Sequence, residues 1–179
     1  MSRAARLALV LLLAVLAAPG CGYSLAGRGS FLPDYIRTIG VPQFVNGTPI
    51  YDVDRRVSER IRGELAGRGK YRIDATTTGV DAVLSGVITS LTVSPTSFNQ
   101  QQTASRYVLV LTAAVEFKDV KTGKVMWSNP AMSFREEFDV TNTTEITDAS
   151  VYLNSDANAL DRIANEFARS LISALLEAF

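Results

Sequence analysis

The amino-acid sequence predicts an α+β protein in which an antiparallel or mixed four-stranded sheet carries two helices packed on one face, in the chain order β-α-β-β-β-α. Three patterns predict it. From Arg106 to Lys118 the residues alternate with period two, so that Tyr107, Leu109, Leu111, Ala113, Val115 and Phe117 share one side. Val53, Val57, Ile61 and Leu65 recur every four residues and draw one apolar stripe along a helix. Leu160, Ala164, Phe167, Leu171, Ala174 and Ala178 step by fours and threes and draw a second stripe, widened by Ile163, Leu175 and Phe179. Each stripe needs a surface to cover. The simplest closure lays both helices on the apolar side of the sheet and leaves the other side to solvent or to a protein.

The chain opens with an address. Arg3 and Arg6 precede twelve apolar residues, Leu7 to Ala18. Twelve helical residues rise about 18 Å, well short of a hydrocarbon core of about 30 Å, so residues 1–20 read as a secretory signal and not as a membrane span. Ala18-Pro19-Gly20-Cys21 follows, and Cys21 is the only cysteine. A lone cysteine after glycine at the end of such a run resembles the lipobox of bacterial lipoproteins, which implies a thiol acylated at the first mature residue. Gly22 after that cysteine, not aspartate, implies sorting to the outer membrane. Several acyl chains give durable anchoring where one does not. Residues 21–35 are then a lipid-anchored, glycine-rich tether, and residues 36–179 form a single domain.

Within that domain Ile36 to Phe44 suits a strand, with Pro42 marking its end or an edge side because it has no N–H to donate. The first helix spans Asp52 to Ala66, with Asp52 or Asp54 to cap it and Gly67 to end it. Arg55, Arg56, Arg60 and Arg62 on that helix read either as a face for an anion or as a solvated face supported by carboxylates such as Glu59. Tyr71-Arg72-Ile73 begins a further extended stretch. Ala82 to Val93 is rich in β-branched residues and makes the second strand. Ser94 to Ser105 carries no charge and reads as a long hairpin loop. Arg106 to Lys118 is the third strand, and Asp119 to Lys124 a tight turn with glycine near its end. Val125 to Ser128 and Ala131 to Val140, on either side of Asn129-Pro130, make the fourth, with Met132, Phe134 and Phe138 of one parity around Glu136. Thr141 to Thr147 is a polar loop. The final helix is firmest from Asp156 to Phe179.

Composition excludes much chemistry. There is no histidine, which removes the commonest general base and metal ligand, and one cysteine allows no internal disulfide. No nucleophile–base constellation, metal set or cofactor motif is present, so an envelope hydrolase is disfavoured. Beyond residue 20 the chain holds 16 basic against 18 acidic residues, and a near-neutral domain has no broad field for nucleic acid. Asn46-Gly47-Thr48 and Asn142-Thr143-Thr144 match glycosylation acceptors, a chance match in a bacterial lipoprotein.

Several phrases in order resemble the lipopolysaccharide-assembly lipoprotein family (LptE). They are Cys21-Gly22-Tyr23-Ser24-Leu25, Ile39-Gly40-Val41-Pro42-Gln43-Phe44-Val45-Asn46-Gly47-Thr48, Asp81 to Ile88, Tyr107 to Asp119, Lys121 to Trp127, and Phe134. The resemblance covers nearly the whole mature chain. It implies an outer-membrane lipoprotein that assists assembly of, and plugs, the LptD barrel and helps insert lipopolysaccharide at the cell surface. Lipopolysaccharide phosphates would meet basic side chains. The family's basic loops have no counterpart in 94–105 or 139–148, so Arg106, Lys121, Lys124 and Arg135 are the candidate contacts. A charge-free loop suits burial in a barrel lumen and equally a plain surface loop. Another lipid-anchored periplasmic module, an activator of a cell-wall synthase or a secretion-channel lipoprotein, is the alternative.

Overall fold

The computed structural model describes residues 32–68, 70–100, 104–139, 149–155 and 158–179. The signal segment 1–20, Cys21, most of the tether and the polar loop at 141–147 lie outside the described residues. The sheet is larger than the four strands expected. Six strands are present: β1 Thr38–Gly40, β2 Val45–Asn46, β3 Arg72–Asp74, β4 Ala82–Phe98, β5 Ala104–Asp119 and β6 Val125–Asp139. Their spatial order is β3-β1-β4-β5-β6, with β2 beside β4. β1 pairs parallel with β3 and β4, β2 pairs parallel with β4, and β4, β5 and β6 form an antiparallel meander. The sheet is therefore mixed.

The extra strands have physical reasons. Pro42 splits the stretch expected as one strand, so β1 meets Ala82 and Val83 while β2 meets Val87 and Ile88. Arg72–Asp74 falls in the extended stretch expected from Tyr71, and it joins the sheet because α1 (Val53–Gly67) returns the chain beside β1 and the register Ile39↔Ile73 closes. β6 runs straight through Asn129-Pro130, because an edge strand with a bulge opposite Ala113 and Val115 tolerates proline. Within the stretch expected as a loop, Ser94 to Phe98 continue β4 and Ala104 and Ser105 begin β5. Pro95 pairs with Tyr107, Ser97 with Arg106 and Phe98 with Ala104. Hydroxyls support this end: Thr96 Oγ1 donates to the Arg106 carbonyl at 3.3 Å. Serine and threonine on both parities carry no apolar alternation, so the strand was hidden there. Beyond Ile88, β4 has no strand partner on its β2 side among the described residues.

Among the described residues, three helices stand where two were expected. The region of the final helix carries α2 (Ala149–Ser155) and α3 (Ala159–Glu177). The α1 stripe behaves as its spacing predicts, with Val53, Val57, Ile61 and Leu65 all at 0 % exposure. The α3 stripe is rotated from the expected one. Ile163, Phe167, Leu171 and Leu175 are buried with Ala164, Ala168 and Ile172, while Leu160 and Ala174 are half-buried and Phe179 is exposed. The buried residues of α1 and α3 and the odd-numbered side of β5 belong to one apolar cluster. Fully burying each large aliphatic there contributes about 1.5–3 kcal/mol.

Asp52 does not cap α1 with its side chain. It has φ 68, and its carboxylate accepts from Arg55 and Arg56 instead. Ser58, which sequence reading passed over, is buried and joins helix to sheet. Its hydroxyl accepts from the Phe44 N–H at 2.8 Å and donates to the Asp54 carbonyl at 2.6 Å. Gly86 lies against Phe44, where a Cβ would stand 2.4 Å from the ring.

Candidate functional site

The two sides of the meander differ in what they present. Every odd-numbered residue of β5 from Tyr107 to Phe117 is buried. The even-numbered residues from Arg106 to Lys118 are half-buried or exposed, and the matching β4 positions are Val83, Ser85, Val87, Ser90, Thr92 and Ser94. This side is a floor of hydroxyls and small apolar groups. A shallow groove of about 560 Å³ crosses it, bordered by Val45, Ser85, Val87, Ala114, Glu116 and Pro130. Val45 is 61 % exposed and Val87 39 %, high values for apolar side chains in strands.

The four candidate cations do not form one patch. Arg106 and Arg135 share the even side near the distal end of the hairpin, at the registers Arg106↔Asp139 and Val110↔Arg135. Arg106 Nε donates to Asp139 at 2.8 Å, and that carboxylate holds the guanidinium charged. Lys121 and Lys124 lie in the β5–β6 turn at the other end. Twelve strand residues separate Arg106 from Lys118, about 40 Å at about 3.3 Å per residue. Lys121 Nζ stands 5.2 Å over the Tyr35 ring. Cys21, the expected anchor, is outside the described residues.

The α1 arginines are committed within the chain. Arg55 bridges Asp52 and Glu59, Arg56 reaches Asp52 and Asp161 of α3, and Arg60 stands 3.7 Å from Asp161. Arg62 donates to the Val41 carbonyl at 2.9 Å. Of the two readings of this face, the intramolecular one matches these contacts.

Two features were missed. Asp119 is nearly buried and organises the β5–β6 turn. It accepts from the Tyr35 hydroxyl at 2.6 Å and from the Lys121 and Thr122 N–H groups. Those donors, Tyr35 foremost, hold its carboxyl below the ordinary carboxylate range. Gly123, at φ 71, lets the turn close, as its place near the end of a tight turn predicts. The second feature is an aromatic stack at the distal end. Phe138 lies between Tyr107 and Tyr152, with ring centroids 5.7 Å and 3.7 Å away. Arg162 ties it down, donating to the Tyr152 hydroxyl and to Glu136. Only the parity of Phe138 signalled this cluster in the sequence, because its partners come from three separate elements.

Among the described residues no group of three or more metal-ligating side chains comes together. No helix among them is long and apolar enough to cross a membrane. What the fold and its exposed side define is a helix-bearing mixed sheet with a groove suited to contact. The model of the lipopolysaccharide-assembly family, LptE, matches residues 36–175, and the chain belongs to that family. Membership gives the protein a role in lipopolysaccharide assembly, within a non-catalytic family. No curated protein matches the chain. Among solved structures, the chain is similar to an uncharacterized lipoprotein B from Nitrosomonas europaea, with TM-score 0.54 at 10 % identity over 84 % of this chain and 88 % of that one. It is also similar to the hypothetical protein CT253 from Chlamydia trachomatis, with TM-score 0.51 at 10 % identity over 79 % and 96 %. A minor lipoprotein from Acinetobacter baumannii gives TM-score 0.50 at 10 % identity over 80 % and 93 %. These likenesses are of fold.

Proposed function

We propose that this protein is an outer-membrane lipoprotein, acylated at Cys21, that assists assembly of an LptD-like β-barrel, plugs it, and helps insert lipopolysaccharide at the cell surface. The observation that carries the reading is the even-numbered side of β4 and β5. In this reading the helices all lie on the other side, and the barrel wall covers the exposed one. Small residues such as Ser85 and Ala114 allow close approach, and Val45 and Val87 supply apolar area to bury. The uncharged tip near Phe98, itself 63 % exposed, enters the lumen without burying a charge. Arg106 and Arg135, at that same end, are the basic groups that meet lipopolysaccharide phosphates.

Affinity purification from solubilised outer membrane tests this. A large barrel protein is expected to co-purify. Val87→Glu is expected to abolish that recovery while leaving thermal unfolding unchanged, since Val87 faces away from the core. Recovery of a penicillin-binding protein in place of a barrel would sink the reading. Cys21→Ala is expected to move the protein to the soluble fraction.

A further inference from the structure

Five cations without an ion pair among the described residues gather at one place, while Arg62 and Arg135, likewise without one, lie elsewhere. Arg37, Arg72, Lys118, Lys121 and Lys124 are all exposed, and none forms an ion pair among the described residues. The topology brings them to the same end of the sheet. The Arg72 N–H donates to the Arg37 carbonyl at 2.8 Å, and the Asp119 N–H donates to the Lys124 carbonyl at 2.9 Å. The Val120 N–H donates to the Asp81 carbonyl at 2.9 Å, while the Asp81 carboxylate accepts from the Arg37 and Thr38 N–H groups. Of the acids near these cations, Asp81 and Asp119 are turned to backbone donors and to Tyr35, and Asp74, which the Arg72 charge reaches, accepts from the Thr76 N–H.

A second observation coincides with the first. Tyr35, Val120 and Val125 are exposed at this end, at 42 %, 44 % and 42 %. The described chain also enters here, since Leu32 is its first residue and Ile36 bonds back to Pro33 at 2.9 Å. Cations interleaved with a tyrosine and short aliphatics match the border between headgroups and acyl chains. Tyrosine rings favour that level, and lysine stems lie along apolar surface while their ammonium groups reach phosphates. The distal end has the opposite make-up, with Glu137 and Asp139 beside Arg106 and Arg135.

We propose that this end of the sheet docks on anionic lipid headgroups of the leaflet that holds the anchor. The inference rests on the anchored reading given above and removes Lys121 and Lys124 from the lipopolysaccharide contacts. It also fixes an orientation. With Lys118 at headgroup level, the β4–β5 hairpin rises into the barrel lumen and holds Arg106 about 40 Å from Lys118.

The test is vesicle flotation of the mature chain, residues 21–179, with Cys21→Ser so that acyl chains do not mask the headgroup term. Binding is expected to vesicles of phosphatidylcholine with phosphatidylglycerol, to fall as salt rises, and to be absent with phosphatidylcholine alone. The combined variant Lys118→Gln, Lys121→Gln and Lys124→Gln is expected to bind about tenfold or more weakly. Arg106→Gln with Arg135→Gln, at the distal end, is expected to bind as the unaltered chain does. Equal binding to both vesicle types overturns the proposal, as does an equal loss from the distal variant. So does a triple variant that keeps vesicle binding and loses binding to purified lipopolysaccharide. Barrel co-purification by the triple variant separates the two readings, because it is expected to persist when the headgroup contact is gone.

Discussion

The two sides of β5 share one backbone and do opposite work. Leu109, Leu111 and Ala113 are buried in the apolar cluster that also holds residues of α1 and α3, and they make the fold. Val108, Val110 and Thr112, one residue away in each case, leave part of their surface open. A single strand therefore separates the core from an open surface by parity alone, and substitutions on the two sides should report on different properties.

The sharpest contrast is within one pair of neighbours. Leu111→Ala is expected to lose about 2–5 kcal/mol of unfolding free energy, because Leu111 is fully buried between Leu91 and Phe134. Val110→Ala is expected to lose less than about 1 kcal/mol. Equal losses in urea unfolding would erase the distinction between the sides. A smaller effect probes the seam between the sheet and its helices. Gly86→Ala places a Cβ 2.4 Å from the Phe44 ring and 2.9 Å from the Ala114 carbonyl oxygen. Backbone cannot yield there as a side chain can, so a loss of about 1–3 kcal/mol is expected, with Phe44→Leu restoring part of it.

The mildest test concerns the turn below both sides. The Asp119 carboxyl is depressed in the folded state by Tyr35 and backbone donors. Its contribution is therefore fully present above the ordinary carboxylate value of about 3.9 and is lost as pH falls through that value and below. The stability difference between the unaltered chain and Asp119→Asn is expected near neutral pH and should shrink as acid unfolding is approached. A difference independent of pH would mean that the carboxylate charge is not what the turn uses.

Legibility in the sequence followed the length and purity of each pattern. The odd side of β5 and the α1 stripe were readable residue by residue, since thirteen positions of clean alternation and four of clean helical spacing leave little choice. The strands of two or three residues were legible only as extended stretches, Ile36 to Phe44 and from Tyr71, because β1, β2 and β3 gain their limits and pairing from β4 and from each other and not from local preference. The α3 stripe was placed a fraction of a turn off, because alanines at 164, 168, 174 and 178 satisfy a weak apolar pattern at several phases. The candidate cations were identifiable as basic residues, yet their division between two ends of a long hairpin needed the register. Asp119 looked like an ordinary turn acid. Its partner Tyr35 stands 84 positions away, a pairing no local spacing encodes.

The border of β4 beyond Ile88, which has no strand partner among the described residues, has a protective meaning. A strand rim without a neighbour is a template for stacking between molecules. Here the segment from Thr89 to Ser97 is dominated by serine and threonine, with Pro95 removing one donor from the rim. Such a rim is a poor seed for fibrils. That stretch of β4 can thus lack a strand partner on this side without seeding stacking between molecules.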